Sequence, residues 1–91
     1  MNHVCPVCGY PDLAEPPRRR GGRGSYEVCP SCGFQFGVSD DDARLTYEQW
    51  RALWKKRGLA WSSRREPPPA GWNAERQLAS LTHQPRRPKP R

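Results

Sequence analysis

Four cysteines carry the clearest chemical signal in this chain. They form two C-x2-C pairs, Cys5 with Cys8 and Cys29 with Cys32, separated by twenty residues. Paired cysteines at this spacing are typical of a four-cysteine zinc site. Two disulfides are the alternative, but they need an oxidising compartment, and no apolar leader segment follows Met1. The spacing therefore predicts one structural Zn²⁺ held by all four cysteines, in a cytoplasmic protein.

Iron is the other metal that such a site suits. Cys-Pro-x-Cys-Gly occurs in both pairs and resembles the ligand loops of rubredoxins, which carry one electron on a mononuclear iron. Zinc and iron both accept a tetrahedron of sulfur ligands, so the spacing does not separate them. The net charge of +7 and the long extension after Cys32 depart from the small acidic plan of rubredoxins. We therefore predict zinc, with a mononuclear-iron electron carrier as the alternative.

Catalysis has little support in the sequence. Four thiolates fill the coordination sphere of Zn²⁺ and leave no position for water. His3 could be a ligand, but a solvated terminal histidine is the simpler interpretation. The acidic run 40–42 could bind a cation, although its place before a helix is the simpler explanation. We predict a protein that is not an enzyme and has no small-molecule substrate.

An internal repeat indicates how the cysteines are positioned. Val-Cys-Pro-x-Cys-Gly followed by an aromatic residue occurs at Val4 and again at Val28, an offset of 24. Proline presets φ in a tight turn, and glycine allows a positive φ after the second cysteine. Alternating apolar residues over 34–38 favour a strand. The predicted fold is a small α+β, metal-stabilised, rubredoxin-like zinc ribbon, in which two knuckles lie on short antiparallel hairpins.

One helix is predicted after the second knuckle, at about residues 47–57. Thr46 and Gln49 have the spacing of a capping box, and Gly58 stands where a helix commonly ends. We expect this helix to complete the zinc-ribbon domain, residues 1–61, by packing an apolar stripe and Trp61 against the knuckles. The stripe consists of Tyr47, Trp50, Leu53 and Trp54.

The rest of the chain divides by composition. Residues 62–72 contain three consecutive prolines and form a Pro-rich spacer. Asn73 is a suitable N-cap for a short helix over residues 73–82, which either docks on the ribbon or stays partly disordered. Residues 83–91 are basic and Pro-rich, which predicts a disordered tail. Trp61 and Trp72 flank the spacer and could anchor it or contact a partner.

The basic residues suggest what kind of partner the chain binds. Residues 62–91 hold seven Lys and Arg against two Asp and Glu, and no apolar run reaches membrane-spanning length. Such charge can neutralise phosphates or simply keep the protein soluble. We predict contact with an unknown protein or nucleic acid and none with a membrane. The candidate contact residues are Arg18, Arg19, Arg20, Arg23, Arg86, Arg87, Lys89 and Arg91.

The knuckle sequences also resemble a known family. Cys5-Pro-Val-Cys-Gly-Tyr and the block Gly24-Ser-Tyr-Glu-Val-Cys-Pro30, followed by acidic residues, are similar to the bacterial cysteine-rich CPCC family. The likeness covers roughly residues 3–42, and Val7 stands where that family has an additional cysteine. It implies a metal-binding, cysteine-rich domain of uncharacterised function.

Overall fold

Two helices and two cysteine-bearing turns make up the architecture. The computed structural model describes residues 2–83. Helix α1 spans Tyr47–Lys56 and helix α2 spans Ala74–His83. Among the described residues, antiparallel pairing is limited to three isolated bridges, at His3–Leu13, Arg18–Gly24 and Val28–Gln35. The fold is thus mainly turns and helix, arranged around the cysteines.

The two knuckles repeat the same backbone hydrogen bonds. In knuckle 1, residues 4–10, the amide of Cys5 donates to Tyr10 O and that of Gly9 donates to Cys5 O, each at 2.8 Å. In knuckle 2, residues 28–34, the corresponding bonds join Cys29 to Phe34 and Gly33 to Cys29, at 2.9 and 2.8 Å. Both glycines have positive φ, 89° and 83°. The repeat predicted at an offset of 24 is confirmed as a repeat of backbone geometry.

The strand predicted over residues 34–38 is wrong beyond Gln35. The chain bends at Gly37, which has φ 101°, and the amides of Val38 and Ser39 both donate to Gln35 O. The alternation of apolar residues is real, because Phe34 and Phe36 are both buried. The two buried phenylalanines lie in a compact turn, because too few residues separate knuckle 2 from the bend at Gly37 for a β-ladder to extend.

Helix α1 begins and ends as predicted. The Thr46 hydroxyl accepts from Gln49 N at 3.0 Å, and the Gln49 side chain accepts from Thr46 N at 2.9 Å. The helix is followed by Gly58 at φ 79°, and Leu59 N donates to Trp54 O at 3.0 Å. These bonds satisfy backbone groups that a helix end otherwise leaves unpaired.

The core joins the cysteines to an aromatic cluster. Phe34 contacts Phe36, Tyr47 and Trp50, with ring centroids 5.1, 5.4 and 5.6 Å apart. Trp54 is 1% exposed, so α1 buries its apolar stripe against knuckle 2. Leu53, which was predicted to share that stripe, is 38% exposed. The buried residues are Cys5, Val7, Cys8, Tyr10, Leu13, Cys29, Cys32, Phe34, Phe36 and Trp54.

The segment after α1 returns across the knuckles. Trp61 contacts both Tyr10 and Trp72, with ring centroids 5.7 and 5.1 Å apart. Asn73 Oδ1 accepts from Arg76 N at 2.8 Å, which caps α2, and Leu78 packs against the core. The short helix therefore docks, and both flanking tryptophans serve as anchors. The basic tail, apart from His83 at the end of α2, lies outside the described residues.

Neither helix resembles a membrane span. Within residues 2–83, no helix is both long enough and apolar enough to cross a bilayer.

Candidate metal centre

The four cysteine sulfurs form one compact group. Cys5 Sγ lies 3.9 Å from Cys32 Sγ, and Cys8 Sγ lies 3.6 Å from Cys29 Sγ. All four sulfurs lie within 4.8 Å of one another. Zn–S bonds of about 2.3 Å in a tetrahedron place sulfurs about 3.8 Å apart, so the observed spacing fits such an ion. The four cysteines are positioned to hold one metal ion.

Burial and charge favour an ion at this position. Each cysteine is at most 1% exposed, so a lone thiolate here would lose its hydration. Hydrogen bonds from Cys29, Cys32 and Cys5 lower the pKa of Cys8 far below its ordinary value. Hydrogen bonding among the clustered cysteines, together with burial, raises the pKa of Cys32. A divalent cation at the centre of the group would stabilise all four thiolates.

Helix α1 covers knuckle 1 with an arginine. Arg51 Nε donates to Val7 O at 2.6 Å, and its Nη2 donates to Pro6 O at 2.8 Å. Both carbonyls belong to the turn between Cys5 and Cys8, so Arg51 fixes the turn that presents these ligands. Sequence reasoning missed this role, because nothing in the sequence shows which carbonyl a helical arginine will reach.

Knuckle 2 is covered by an indole and by backbone amides. Trp50 Nε1 donates to Cys32 O at 2.8 Å. The amide of Ser62 donates to Pro30 O and Ser31 O, both at 3.1 Å, and the amide of Ser63 donates to Pro30 O at 2.9 Å. The Pro-rich spacer thus begins as a cover on the second cysteine-bearing turn.

Gln77 of α2 links the two knuckles. Its Nε2 donates to Cys8 O at 3.3 Å and to Ser31 Oγ at 2.8 Å, and its Oε1 accepts from Trp72 Nε1 at 2.7 Å. A Cβ on Gly9 would overlap the carbonyl oxygen of Gln77, so α2 approaches knuckle 1 at a distance that only glycine allows. Docking of this helix on the ribbon was one of the two predicted outcomes, but the bonds of Gln77 were not predicted.

The predicted basic contact residues differ in their exposure and in their ion pairing. Arg18 is bound within the fold: it donates to Gly22 O and forms ion pairs with Asp40 and Asp41. Arg19 lies 3.7 Å from Glu15, while Arg20 and Arg23 are exposed. The other four candidates, Arg86, Arg87, Lys89 and Arg91, lie outside the described residues.

The acidic run and His3 take structural places. Hydrogen bonding to Arg18 lowers the pKa of Asp41, and Asp40 Oδ1 accepts from Gly37 N at 2.7 Å. These carboxylates tie residues 18–23, which we call the arginine loop, to the turn before α1. His3 pairs with Leu13 through backbone bonds of 2.9 Å. Over residues 2–83, the clustered metal-binding side chains are the four cysteines, without His3.

Comparison with known proteins gives one relative. The chain is 40% identical over 47 residues to the uncharacterised protein YoaQ of Bacillus subtilis (strain 168). The match covers 50% of this chain and 40% of that protein. No family model and no solved structure matches the chain. Membership of the CPCC family stays a prediction, and the comparison assigns no activity.

Proposed function

We propose that this chain is a non-catalytic module with one structural Zn²⁺ on Cys5, Cys8, Cys29 and Cys32, which serves to present a binding surface. The observation that carries the proposal is the buried group of four sulfurs at tetrahedral spacing. Four protein ligands complete the coordination of zinc, so the ion stabilises the fold instead of activating water. We place it among rubredoxin-like zinc ribbons, close to the CPCC proteins.

Zinc is favoured over iron by the charge and length of the chain. The net charge of +7 and the long extension after Cys32 depart from the small acidic plan of rubredoxins. Each cysteine is at most 1% exposed, and α1, the spacer and α2 all bond to the knuckle turns, which suits an ion that stays bound as part of the fold.

An adaptor role is favoured by how little core the chain has outside the metal site. Only 34% of its residues are apolar, and a domain of this size is marginal without a staple. A metal ion lets such a chain hold a rigid surface with few buried side chains. The excess of basic residues makes an acidic partner, nucleic acid or protein, the expected one.

The metal content of the purified full-length protein tests this proposal. We expect about one zinc per chain, no visible colour, and loss of helical circular dichroism when a strong chelator removes the ion. A red protein that bleaches on reduction would establish the iron alternative. A chain that keeps its fold and thiols without metal would remove the structural role.

A further inference from the structure

A groove of about 420 Å³ lies on the outer wall of knuckle 2, between the knuckle and the start of the spacer. We call it the arginine groove. It is lined by Val28, Cys29, Pro30, Ser62, Ser63, Arg64, Arg65 and Glu66.

The turn that carries Arg64 and Arg65 is held in place on both sides. Before it, the amides of Ser62 and Ser63 bond to knuckle carbonyls, as described above. Within it, Ser63 Oγ accepts from the amides of Arg65 and Glu66 at 3.2 and 3.0 Å. After it, Glu66 O accepts from Trp61 Nε1 at 2.7 Å. Because the turn is fixed before any ligand arrives, binding there costs little conformational entropy.

The two arginines of this turn have no internal charge partner. Both are exposed, and within residues 2–83 neither lies within 4.0 Å of a carboxylate, in contrast to Arg18. Glu66 is the one acidic residue that lines the groove, so the lining is net positive. Exposed and unpaired guanidinium groups on a rigid turn match phosphate oxygens in charge and hydrogen-bonding geometry.

A cation–π pair lies beyond the Ser62 side of the groove. Arg57 lies over the indole of Trp50, 5.5 Å from the ring centroid. A Cβ on Gly33 would lie 2.6 Å from Ser62 Oγ, which belongs to the groove lining, and 3.9 Å from the Trp50 ring, so Ser62 and this indole lie on the same side of Gly33. A guanidinium over an indole can stack on a nucleobase with its other face.

We propose that the arginine groove binds single-stranded nucleic acid, with Arg64 and Arg65 on neighbouring phosphates and Arg57 stacked on a base. This inference rests on the proposed function, because the metal-stabilised knuckle 2 is one wall of the groove. Phosphate-binding cations beside a stacking platform are the combination that single strands require. An acidic peptide would use the charges but not the platform. The groove also differs from the arginine loop, where Arg18 is already paired.

Fluorescence anisotropy of a labelled, mixed-sequence RNA of about 12 nucleotides tests the proposal on the zinc-loaded full chain. Three double variants carry the same change in charge. R64E/R65E alters the groove, R20E/R23E alters the loop, and K55E/K56E alters the outer face of α1. We expect R64E/R65E to weaken binding at least about 30-fold and to lower the salt slope by about 1.4, the value for two lost phosphate contacts. Each control should weaken binding by about threefold or less.

The platform is tested separately with Arg57→Gln. We expect this variant to bind RNA about fivefold more weakly. Its affinity for poly-glutamate, measured by competition, should stay unchanged, because stacking distinguishes nucleic acid from other polyanions. Equal losses of RNA affinity in all three double variants would mean that net charge alone attracts the RNA, and they would overturn the proposal that the groove binds it. Displacement by poly-glutamate as effective as by unlabelled RNA would establish an acidic-peptide site instead.

Metal content separates this inference from the proposed function. The wild-type chain could bind one zinc and unfold cooperatively but fail to bind RNA. That result would reject RNA binding by the groove and leave the proposed structural metal module intact. A chain without bound zinc would remove the proposed function itself. Helical circular dichroism and zinc content of each variant show that a loss of binding is not a loss of fold.

Discussion

Knuckle 1 and knuckle 2 have nearly the same sequence and the same internal hydrogen bonds, yet they are covered in different ways. Knuckle 1 receives the Arg51 guanidinium on two carbonyls and packs closely against the backbone of α2 at Gly9. Knuckle 2 receives the Trp50 indole and the backbone amides of the spacer. Among residues 2–83, Gln77 alone bonds to both knuckles.

The difference shows what a metal knuckle needs from its surroundings. Both turns share the proline, the glycine, the two cysteines and the same internal hydrogen bonds, while their outward carbonyls accept from different donors. Knuckle 1 accepts charge-assisted bonds from Arg51, and its Gly9 and Tyr10 line a groove of about 380 Å³ beside α2. Knuckle 2 accepts bonds from neutral donors, and its outer wall lines the arginine groove.

Removing one cysteine from either knuckle should have the same effect, because both knuckles are expected to depend on the same ion. We expect Cys8→Ser and Cys29→Ser each to lose bound zinc and helical circular dichroism. Folding and metal binding are coupled, and structural zinc contributes about 10–16 kcal/mol to small domains. Zinc content by mass spectrometry under native conditions checks this, with Ser80→Ala as a folded control. A variant that keeps its zinc and fold would contradict the four-cysteine site.

Substituting alanine for each knuckle glycine should destabilise the protein by different amounts at the two knuckles. Gly9→Ala and Gly33→Ala both place a side chain at positive φ, which costs about 1–2 kcal/mol. At Gly9 the new Cβ also meets the rigid backbone of α2, whereas at Gly33 it meets the Ser62 hydroxyl, 2.6 Å away. We expect a loss of about 3 kcal/mol for Gly9→Ala and about 1.5 kcal/mol for Gly33→Ala.

Urea unfolding at a fixed free zinc concentration measures this pair. Ser62→Gly should recover part of the loss in Gly33→Ala and none of the loss in Gly9→Ala. Equal losses at the two glycines would show that α2 does not press on knuckle 1.

The side-chain covers can be removed one at a time. Arg51→Met keeps the aliphatic stem but removes two charge-assisted bonds to Val7 O and Pro6 O, and we expect a loss of about 2 kcal/mol. Trp50→Phe keeps a ring but removes one neutral bond to Cys32 O, with a loss of about 1 kcal/mol. The free energy of unfolding from urea titration should rank them in that order, and the reverse order would contradict the assigned covers.

The contact that Gln77 makes with both knuckles should give an effect as small as that of Trp50→Phe. Gln77→Ala removes bonds to Cys8 O, Ser31 Oγ and Trp72 Nε1 at the half-buried edge of α2, where water can replace some of them. We expect a loss of about 1 kcal/mol. Amide hydrogen exchange should quicken in α2 more than in α1. The exposed Glu75→Ala serves as the control on the same helix, and equal exchange in both variants would contradict the bridging role.

Much of the local structure could be predicted from short stretches of sequence. The repeat of Val-Cys-Pro-x-Cys-Gly predicted two matching turns, and Thr46 with Gln49 predicted the start of α1. These predictions succeed because the interacting groups lie within a few residues of one another. The predicted strand over residues 34–38 also rested on a local pattern, but it was wrong beyond Gln35. Alternation reports which residues are buried, but Gly37 decides whether the backbone stays extended.

The partners of each turn depended on residues far apart in the chain. Arg51 lies 44 residues from Val7, and Gln77 lies 69 residues from Cys8. No pattern in the sequence marks such a pair, because any long polar side chain on a helix can reach some carbonyl. The same holds for the basic residues, since the sequence shows Arg18 and Arg64 as equal charges. Only the fold pairs Arg18 with Asp40 and leaves Arg64 exposed.

The sequence by itself therefore determined which four cysteines come together, the two knuckles and the limits of α1, because each depends on spacing along the chain. The tertiary structure decided that α2 docks, which donors close each knuckle, and which arginines remain available to a partner. Those outcomes depend on how α1, the spacer and α2 pack around a site that the cysteines hold together.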